Sequence, residues 1–247
     1  MKGLKRERAL LHARTSRFLS AVVAARHNVD QALRACATWY IALSGGKDST
    51  VVLDLVRSAC AEVPATHSQR QWELPETAAY LSRVGNVRRV SYFGLDGTDW
   101  ARSWDSKESA EQAGVVWLDD ANAIACRGAV EDGVFLGLRA DENGYRRVHL
   151  RTLGPLHNLK GTKKWHANPI AFWSVWDVWA YIYSRGIDYN LAYDRLDDLG
   201  IEPERQRIGP LAVERALGYG QIAILKRGWP ELWNRYAAEH PEARQYA

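Results

Sequence analysis

Ser44, Gly45, Gly46, Lys47, Asp48, Ser49 and Thr50 gather two glycines, a lysine, a carboxylate and three hydroxyls into one short run. The apolar residues Tyr40-Ile41-Ala42-Leu43 precede it, and Val51-Val52-Leu53-Asp54-Leu55-Val56 follows. A buried strand, a glycine turn and a helix in that order build a phosphate cradle. Glycine lets the backbone turn sharply with its N–H groups bare, the helix offers the positive end of its dipole, and Lys47 adds a full charge. The spacing rules out other cradles. A Walker A loop requires glycine and hydroxyl residues where Ile41 and Asp48 stand, and G-x-G-x-x-G patterns fail as well. Asp48 would repel phosphate in a purely anionic site, so it either caps the helix or reaches a bound Mg2+, and we favour the cap.

A second run with chemical potential is Gly137-Leu138-Arg139-Ala140-Asp141-Glu142-Asn143-Gly144-Tyr145-Arg146-Arg147, which follows the apolar stretch Gly133 to Leu138. Arg139 at the carboxyl end of a parallel strand lies on the edge where α/β sheets bind ligands, and its planar fork suits phosphate or sulfate oxygens.

The elements that must position these residues read as α/β. Strands are expected at Pro64–Ser68, Asn86–Phe93 and Gly133–Leu138, and helices at Leu74–Leu81 and Leu118–Val130. Gly94 to Ser109 carries no clear element signal. Val148–Leu153 and Pro155–Leu159 read as a hairpin, closed by Lys160-Gly161-Thr162-Lys163-Lys164. Ser174 and Asp177 form a capping box before a helix whose Val175, Val178, Trp179 and Ile182 stripe one face, so Trp176 and Trp179 read as core rather than as stacking platforms. The start of the chain interleaves Lys2, Lys5, Arg6, Arg8, Arg14 and Arg17 with Leu10, Leu11, Phe18, Leu19, Val22 and Val23, as in a helix laying one face on the domain.

The 247 residues suffice for one large α/β domain with appendages. We divide it into a helical segment 1–37, an α/β domain 38–210 that carries the cradle and a helical extension 211–247 of the same domain. With 33 basic and 29 acidic residues the formal net charge is +4, which fits phosphate-bearing ligands and falls short of a nucleic-acid footprint. No apolar run approaches a membrane span and no secretory segment is present, so a cytoplasmic protein with no membrane partner is expected. Cys36, Cys60 and Cys126 lie far apart and form no C-x-x-C, so no zinc and no iron-sulfur cluster is expected.

Ser-Gly-Gly-Lys-Asp-Ser resembles the loop of the PP-loop, or N-type ATP pyrophosphatase, proteins of the adenine nucleotide alpha-hydrolase superfamily. Within them the chain is most similar to the phosphoadenosine phosphosulfate (PAPS) reductase family. Four ordered blocks carry the resemblance: residues 44–49, Glu73-Leu74-Pro75-Glu76-Thr77, residues 137–147, and Asn168–Ile182 with Tyr189-Asn190-Leu191-Ala192-Tyr193-Asp194. The resemblance implies a doubly wound three-layer sandwich with a mostly parallel sheet of about five strands, flanked by an N-terminal helix and a helical C-terminal extension. It further implies ATP or PAPS as ligand, with Mg2+, and cleavage between the α and β phosphates. Ser44, Gly45, Gly46, Lys47, Asp48, Ser49 and Thr50 would hold the leaving pyrophosphate, with Gly137 beside them. Arg139 would clamp the α-phosphate or the acceptor, with Glu142 orienting arginines or metal. Arg146 and Arg147 would extend a positive rim, and Lys160, Lys163 and Lys164 would close over an acidic substrate.

The chain departs from the family at two places. His67-Ser68 stands where a strand-end acid is expected, and Pro210 takes the place of a cysteine, with no cysteine after Cys126. Three functions therefore stay open: an adenylyl-transferring ATP pyrophosphatase, a sulfonucleotide reductase disfavoured by the missing thiol, and a nucleotide- or nucleic-acid-binding module without catalysis. A homo-oligomer and the acceptor's identity stay open too.

Overall fold

The computed structural model describes residues 2–69, 73–91, 131–159, 164–208 and 219–246. The helix expected at Leu118–Val130, the unassigned stretch from Gly94, and Cys126, Lys160, Lys163 and Pro210 lie outside the described residues.

Six strands form one sheet: β1 (Trp39–Ala42), β2 (Ala65–Gln69), β3 (Val87–Ser91), β4 (Gly133–Phe135), β5 (Leu156–Leu159) and β6 (Lys164–Ala167), in the order β3-β2-β1-β4-β6-β5. All neighbours pair parallel except β5, which runs antiparallel to β6 at the edge. The sheet is mostly parallel, as expected, with six strands where about five were expected. From β1 the chain winds outward through β2 and β3, then returns across β1 to β4, whose Gly133, Val134 and Phe135 register with Trp39, Tyr40 and Ile41. That reversal between β1 and β4 is a topological switch point, where the connections diverge to opposite sides and leave a crevice at the strands' carboxyl ends.

Alternation along β1 feeds both faces of the sheet. Trp39 and Ile41 enter the large core, whereas Tyr40 joins Val134 and Leu136 in a second cluster. The large core takes its helical share from α1 (Lys2–His12), α2 (Ser16–Ala35), α3 (Lys47–Ala59) and α4 (Pro75–Arg83), among others. Thr15 caps α2 by accepting the Phe18 N–H, and Phe18, Ala25, Val29 and Ala32 turn one face inward, whereas Leu11, Leu19 and Val23 of the expected apolar face are exposed.

Val148–Leu153 is helix and not strand. It belongs to α5 (Gly144–Leu153), which starts where Asn143 Oδ1 accepts the Arg146 N–H at 2.8 Å and stops at Gly154 with φ +78°. The apolar and polar alternation suggested a strand, but an Asn cap and a glycine stop at positive φ outweigh it. The hairpin exists one step later, as β5 with β6. The capping box forms as expected at α6 (Val175–Arg185), with the Asp177 N–H donating to Ser174 Oγ at 3.2 Å and the Ser174 N–H to Asp177 Oδ2 at 2.7 Å. Trp179 is fully buried, with its ring stacked on Tyr183 and edge-on to Tyr189 and Tyr193, which bears out the core reading for that residue, whereas Trp176 is half-buried against the core and donates to Glu204 Oε1 at 2.9 Å.

After the short helix α7 (Ala192–Asp198), the chain ends in α8 (Tyr219–Gly228), α9 (Pro230–Glu239) and a 3-10 turn over Pro241–Tyr246. No helix among the described residues is long and apolar enough to cross a membrane.

Candidate functional site

The cradle hangs from the carboxyl end of β1. Gly45 has φ +77°, and a Cβ there would meet Thr77 Cγ2 at 2.9 Å, so the turn demands glycine twice over. Gly46 then precedes the first residue of α3. The loop is braced from within: Ser44 Oγ lies 3.1 Å from Ser49 Oγ and accepts the Gly46 N–H at 3.3 Å, while Ser49 Oγ donates to the Gly46 carbonyl at 2.9 Å. It is braced from outside by residues the sequence placed in motifs without a role. Asn190 Nδ2 donates to the Gly45 carbonyl at 3.2 Å and to Thr77 Oγ1 at 2.8 Å, and the Tyr193 hydroxyl accepts the Lys47 N–H at 3.0 Å. The expectation of bare N–H groups is therefore corrected for Gly46 and Lys47, which already have partners. The first-turn N–H groups of Asp48 and Ser49 are the ones a helix start leaves without an intrahelical acceptor.

Arg139 reaches this loop from the end of β4. Its Nε donates to Asp48 Oδ1 at 2.5 Å and its Nη1 to the Trp173 carbonyl at 3.3 Å. Gly137 makes the approach feasible, since a Cβ there would stand 2.9 Å from both Asp48 C and Ser49 N. The Lys47 ammonium, almost wholly buried, donates to Asp48 Oδ2 at 3.1 Å and to the Gln206 carbonyl at 3.4 Å. Burial pulls the Lys47 ammonium below its ordinary pKa, with Asp48 opposing. Burial pushes the Asp48 carboxyl up, but Lys47 and Arg139 outweigh it and hold the carboxyl below the usual carboxylate range. Burial, with Asp48 adding to it, raises the Tyr193 phenol, so its hydroxyl keeps its proton.

Glu142 organises a second tier. Its Oε2 accepts the Arg139 N–H at 3.2 Å and pairs with Arg146, and its Oε1 accepts from Arg207 Nη1 at 2.9 Å. Lys47, Arg139, Arg146 and Arg207 thus converge on Asp48 and Glu142, with the exposed Asp141 3.9 Å from Arg139 Nη1, which leaves an excess of positive charge at the switch point. Arg207 was absent from the sequence-based candidates; its only sequence signal is its place beyond the Tyr-Asn-x-x-Tyr-Asp segment.

Several expectations need correction. Asp48 does not cap α3, whose N-cap is Gly46 without a side-chain bond; it serves as the counter-ion shared by Lys47 and Arg139. Among the described residues no group of three or more His, Cys, Asp or Glu could hold a metal ion. Lys164 sits at the amino end of β6, at the opposite edge of the sheet from the cradle, and donates to the Glu131 carbonyl at 2.9 Å. Arg147 is exposed on α5. His67, expected at a strand end and found in the middle of β2, lies with Nδ1 2.8 Å from the Leu43 carbonyl and Nε2 2.5 Å from Glu73 Oε1, tying the root of the cradle to the residues before α4.

The site offers cations and backbone dipoles suited to oxyanions, and no thiol among the described residues. Cys60 caps the far end of α3, whose 13 residues put it about 20 Å from the cradle. Cys36 precedes β1, at the opposite end of that strand. The chemistry available is positioning and charge stabilisation.

Residues 38–198 match the family model for the phosphoadenosine phosphosulfate reductase domain. No curated protein matches the sequence. Among solved structures, the PAPS reductase from Candida auris in a phosphate complex superposes with a TM-score of 0.54 at 20% identity, over 77% of this chain and 89% of that one. The Candida glabrata FMN adenylyltransferase in complex with ATP superposes with a TM-score of 0.50 at 10% identity, over 77% of this chain and 66% of that one. At these identities the likeness is one of fold.

Proposed function

The chain belongs to the phosphoadenosine phosphosulfate reductase domain family, and from that premise we propose that it is a PP-loop enzyme that binds ATP or a related adenosine nucleotide in the 44–50 cradle. It cleaves the nucleotide between the α and β phosphates, transfers AMP to an acceptor and releases pyrophosphate. The observation that carries this reading is the convergence of Lys47 and Arg139, from the ends of β1 and β4, on one crevice at the switch point.

In this mechanism a nucleophilic atom of the acceptor attacks the α-phosphorus while the bond to the bridging oxygen breaks, and the electron pair leaves with pyrophosphate. The first-turn N–H groups of α3 and the Lys47 ammonium receive that growing charge, which is worth most in a preorganised, largely dry setting. Arg139, aligned by Asp48 and the Trp173 carbonyl, faces the α-phosphate. Arg146 and Arg207, gathered by Glu142, hold the outer anionic portion of the nucleotide or acceptor. Mg2+, when bound, would neutralise phosphate charge, and Asp48 is the cradle carboxylate that would be available to hold it.

The family's name favours a second reading, sulfonucleotide reduction. It requires an activated thiol at the substrate. Cys36 and Cys60 are remote from the cradle, and the sequence has no cysteine after Cys126. Incubation of the purified protein with ATP, with PAPS and with Mg2+, followed by product analysis, separates the two: pyrophosphate from ATP is expected, and thiol-dependent sulfite from PAPS would overturn the assignment. Lys47→Ala should weaken ATP binding about 10- to 100-fold, as loss of a charged hydrogen bond does. Unchanged affinity with retained turnover would refute the cradle's role.

A further inference from the structure

Lys5 is almost completely buried on α1, which lysine rarely is unless it is paired. Its Nζ donates to Asp197 Oδ2 at 2.8 Å and to Gln206 Oε1 at 3.4 Å, and stands 3.5 Å from the centroid of the Trp179 ring. The other Asp197 oxygen accepts from Gln206 Nε2 at 2.5 Å, and the same Nε2 lies 2.9 Å from the Ile201 carbonyl. Every polar atom of the fully buried Gln206 side chain is thereby fixed, and its backbone carbonyl accepts from Lys47 Nζ. A continuous chain of hydrogen bonds runs from the N-terminal helix to the cradle lysine.

We propose that Lys5 is a positioning residue that sets the direction of the Lys47 ammonium through Asp197 and Gln206, and so tunes the grip of the cradle on a polyphosphate; this rests on the cradle being the polyanion site. An ammonium has three donors. Lys47 commits one to Asp48 and one to Gln206, and those two directions determine where the third points. Anchoring α1 by itself does not call for a charge at position 5. Ala9 on the same helix is fully buried in the core, and an apolar side chain at position 5 would pack there without the desolvation cost of an ion pair. The pair does what an apolar contact cannot, by imposing a direction on the Gln206 amide. The two ammonium groups also sense each other, since Lys47 is among the influences that lower the Lys5 pKa, after burial.

The test is a double-mutant cycle on the affinity for inorganic pyrophosphate, measured by calorimetry on the full chain as wild type, Lys5→Met, Lys47→Ala and the double variant. Methionine keeps an unbranched stem beside Trp179 and removes the donors. Lys5→Met should weaken binding about fivefold in the wild-type background and less than about twofold once Lys47 is gone. A purely structural role would lower affinity by the same factor in both backgrounds, and that result, or no loss at all, overturns the proposal while leaving the proposed function standing. Absence of pyrophosphate binding by the unaltered protein overturns the cradle reading and this inference with it. Where Lys5→Met melts below the assay temperature, Gln206→Ala takes its place in the cycle with the same expected coupling and the same refutation, because it keeps the Lys5–Asp197 pair.

Discussion

Asp48→Asn probes the central electrostatic claim, that the cradle carries its own counter-ion where a phosphate would otherwise sit. Asp48 accepts from Arg139 at 2.5 Å and from Lys47 at 3.1 Å, both nearly buried cations. Asparagine preserves the shape and one acceptor oxygen but removes the charge. Removing one partner of a buried pair costs about 3–5 kcal/mol, and the lower end applies to a carboxylate at a crevice. For a chain of 247 residues, about 3 kcal/mol corresponds to a fall in melting temperature of about 6–12 °C. The two orphaned cations should then recruit an external anion. Pyrophosphate at a hundredfold excess over its Kd stabilises by about 2.7 kcal/mol, and at fixed concentration the variant, with the tighter Kd, should gain more than wild type. Scanning calorimetry in phosphate-free buffer, with and without pyrophosphate, reads both effects. A variant that melts within about 1 °C of wild type, or that gains no more from pyrophosphate, would refute the argument.

Gly137→Ala should cost about 1–3 kcal/mol and reduce turnover, because the new Cβ would press on the backbone of Asp48 and Ser49 at 2.9 Å, and backbone cannot rotate away as a side chain can; a variant with wild-type stability and kcat would contradict the close approach. Acid should destabilise the fold through Asp48 and Asp177. Burial raises both carboxyls, but Lys47 and Arg139 in one case, and His12 and Ser174 in the other, hold them below their ordinary 3.8. Their contribution is complete above pH 3.8, where the unfolded chain is ionised too, and is lost as pH falls through the depressed folded values. Melting temperature followed downward from pH ~6 should decline more gently in Asp177→Asn than in wild type.

The strand–turn–helix of the cradle and the Ser174–Asp177 cap were legible in the chain because each depends on neighbours in sequence, whereas the parallel sheet, which pairs β1 with β4 across more than ninety residues, Trp39 with Gly133, was expected from the family resemblance. Glycine conformations, helix dipoles and apolar periodicity act over a few residues. The strand reading of Val148–Leu153 failed because local alternation competed with equally local cap and stop signals at Asn143 and Gly154, and a pattern of six residues cannot arbitrate between them.

By itself the sequence determined that a phosphate-type loop follows a buried strand, that a strand-end arginine accompanies it, and that no thiol follows Cys126. Only the tertiary structure decided which charges meet there. It turned Asp48 from an expected cap into a counter-ion, removed Lys164 to the far edge of the sheet, and brought in Arg207 and Gln206, the latter 159 residues from Lys47. Charge pairing across such separations leaves no local periodicity, since it is set by how the sheet order folds the carboxyl ends of β1 and β4 together and by what the later helices drape over them.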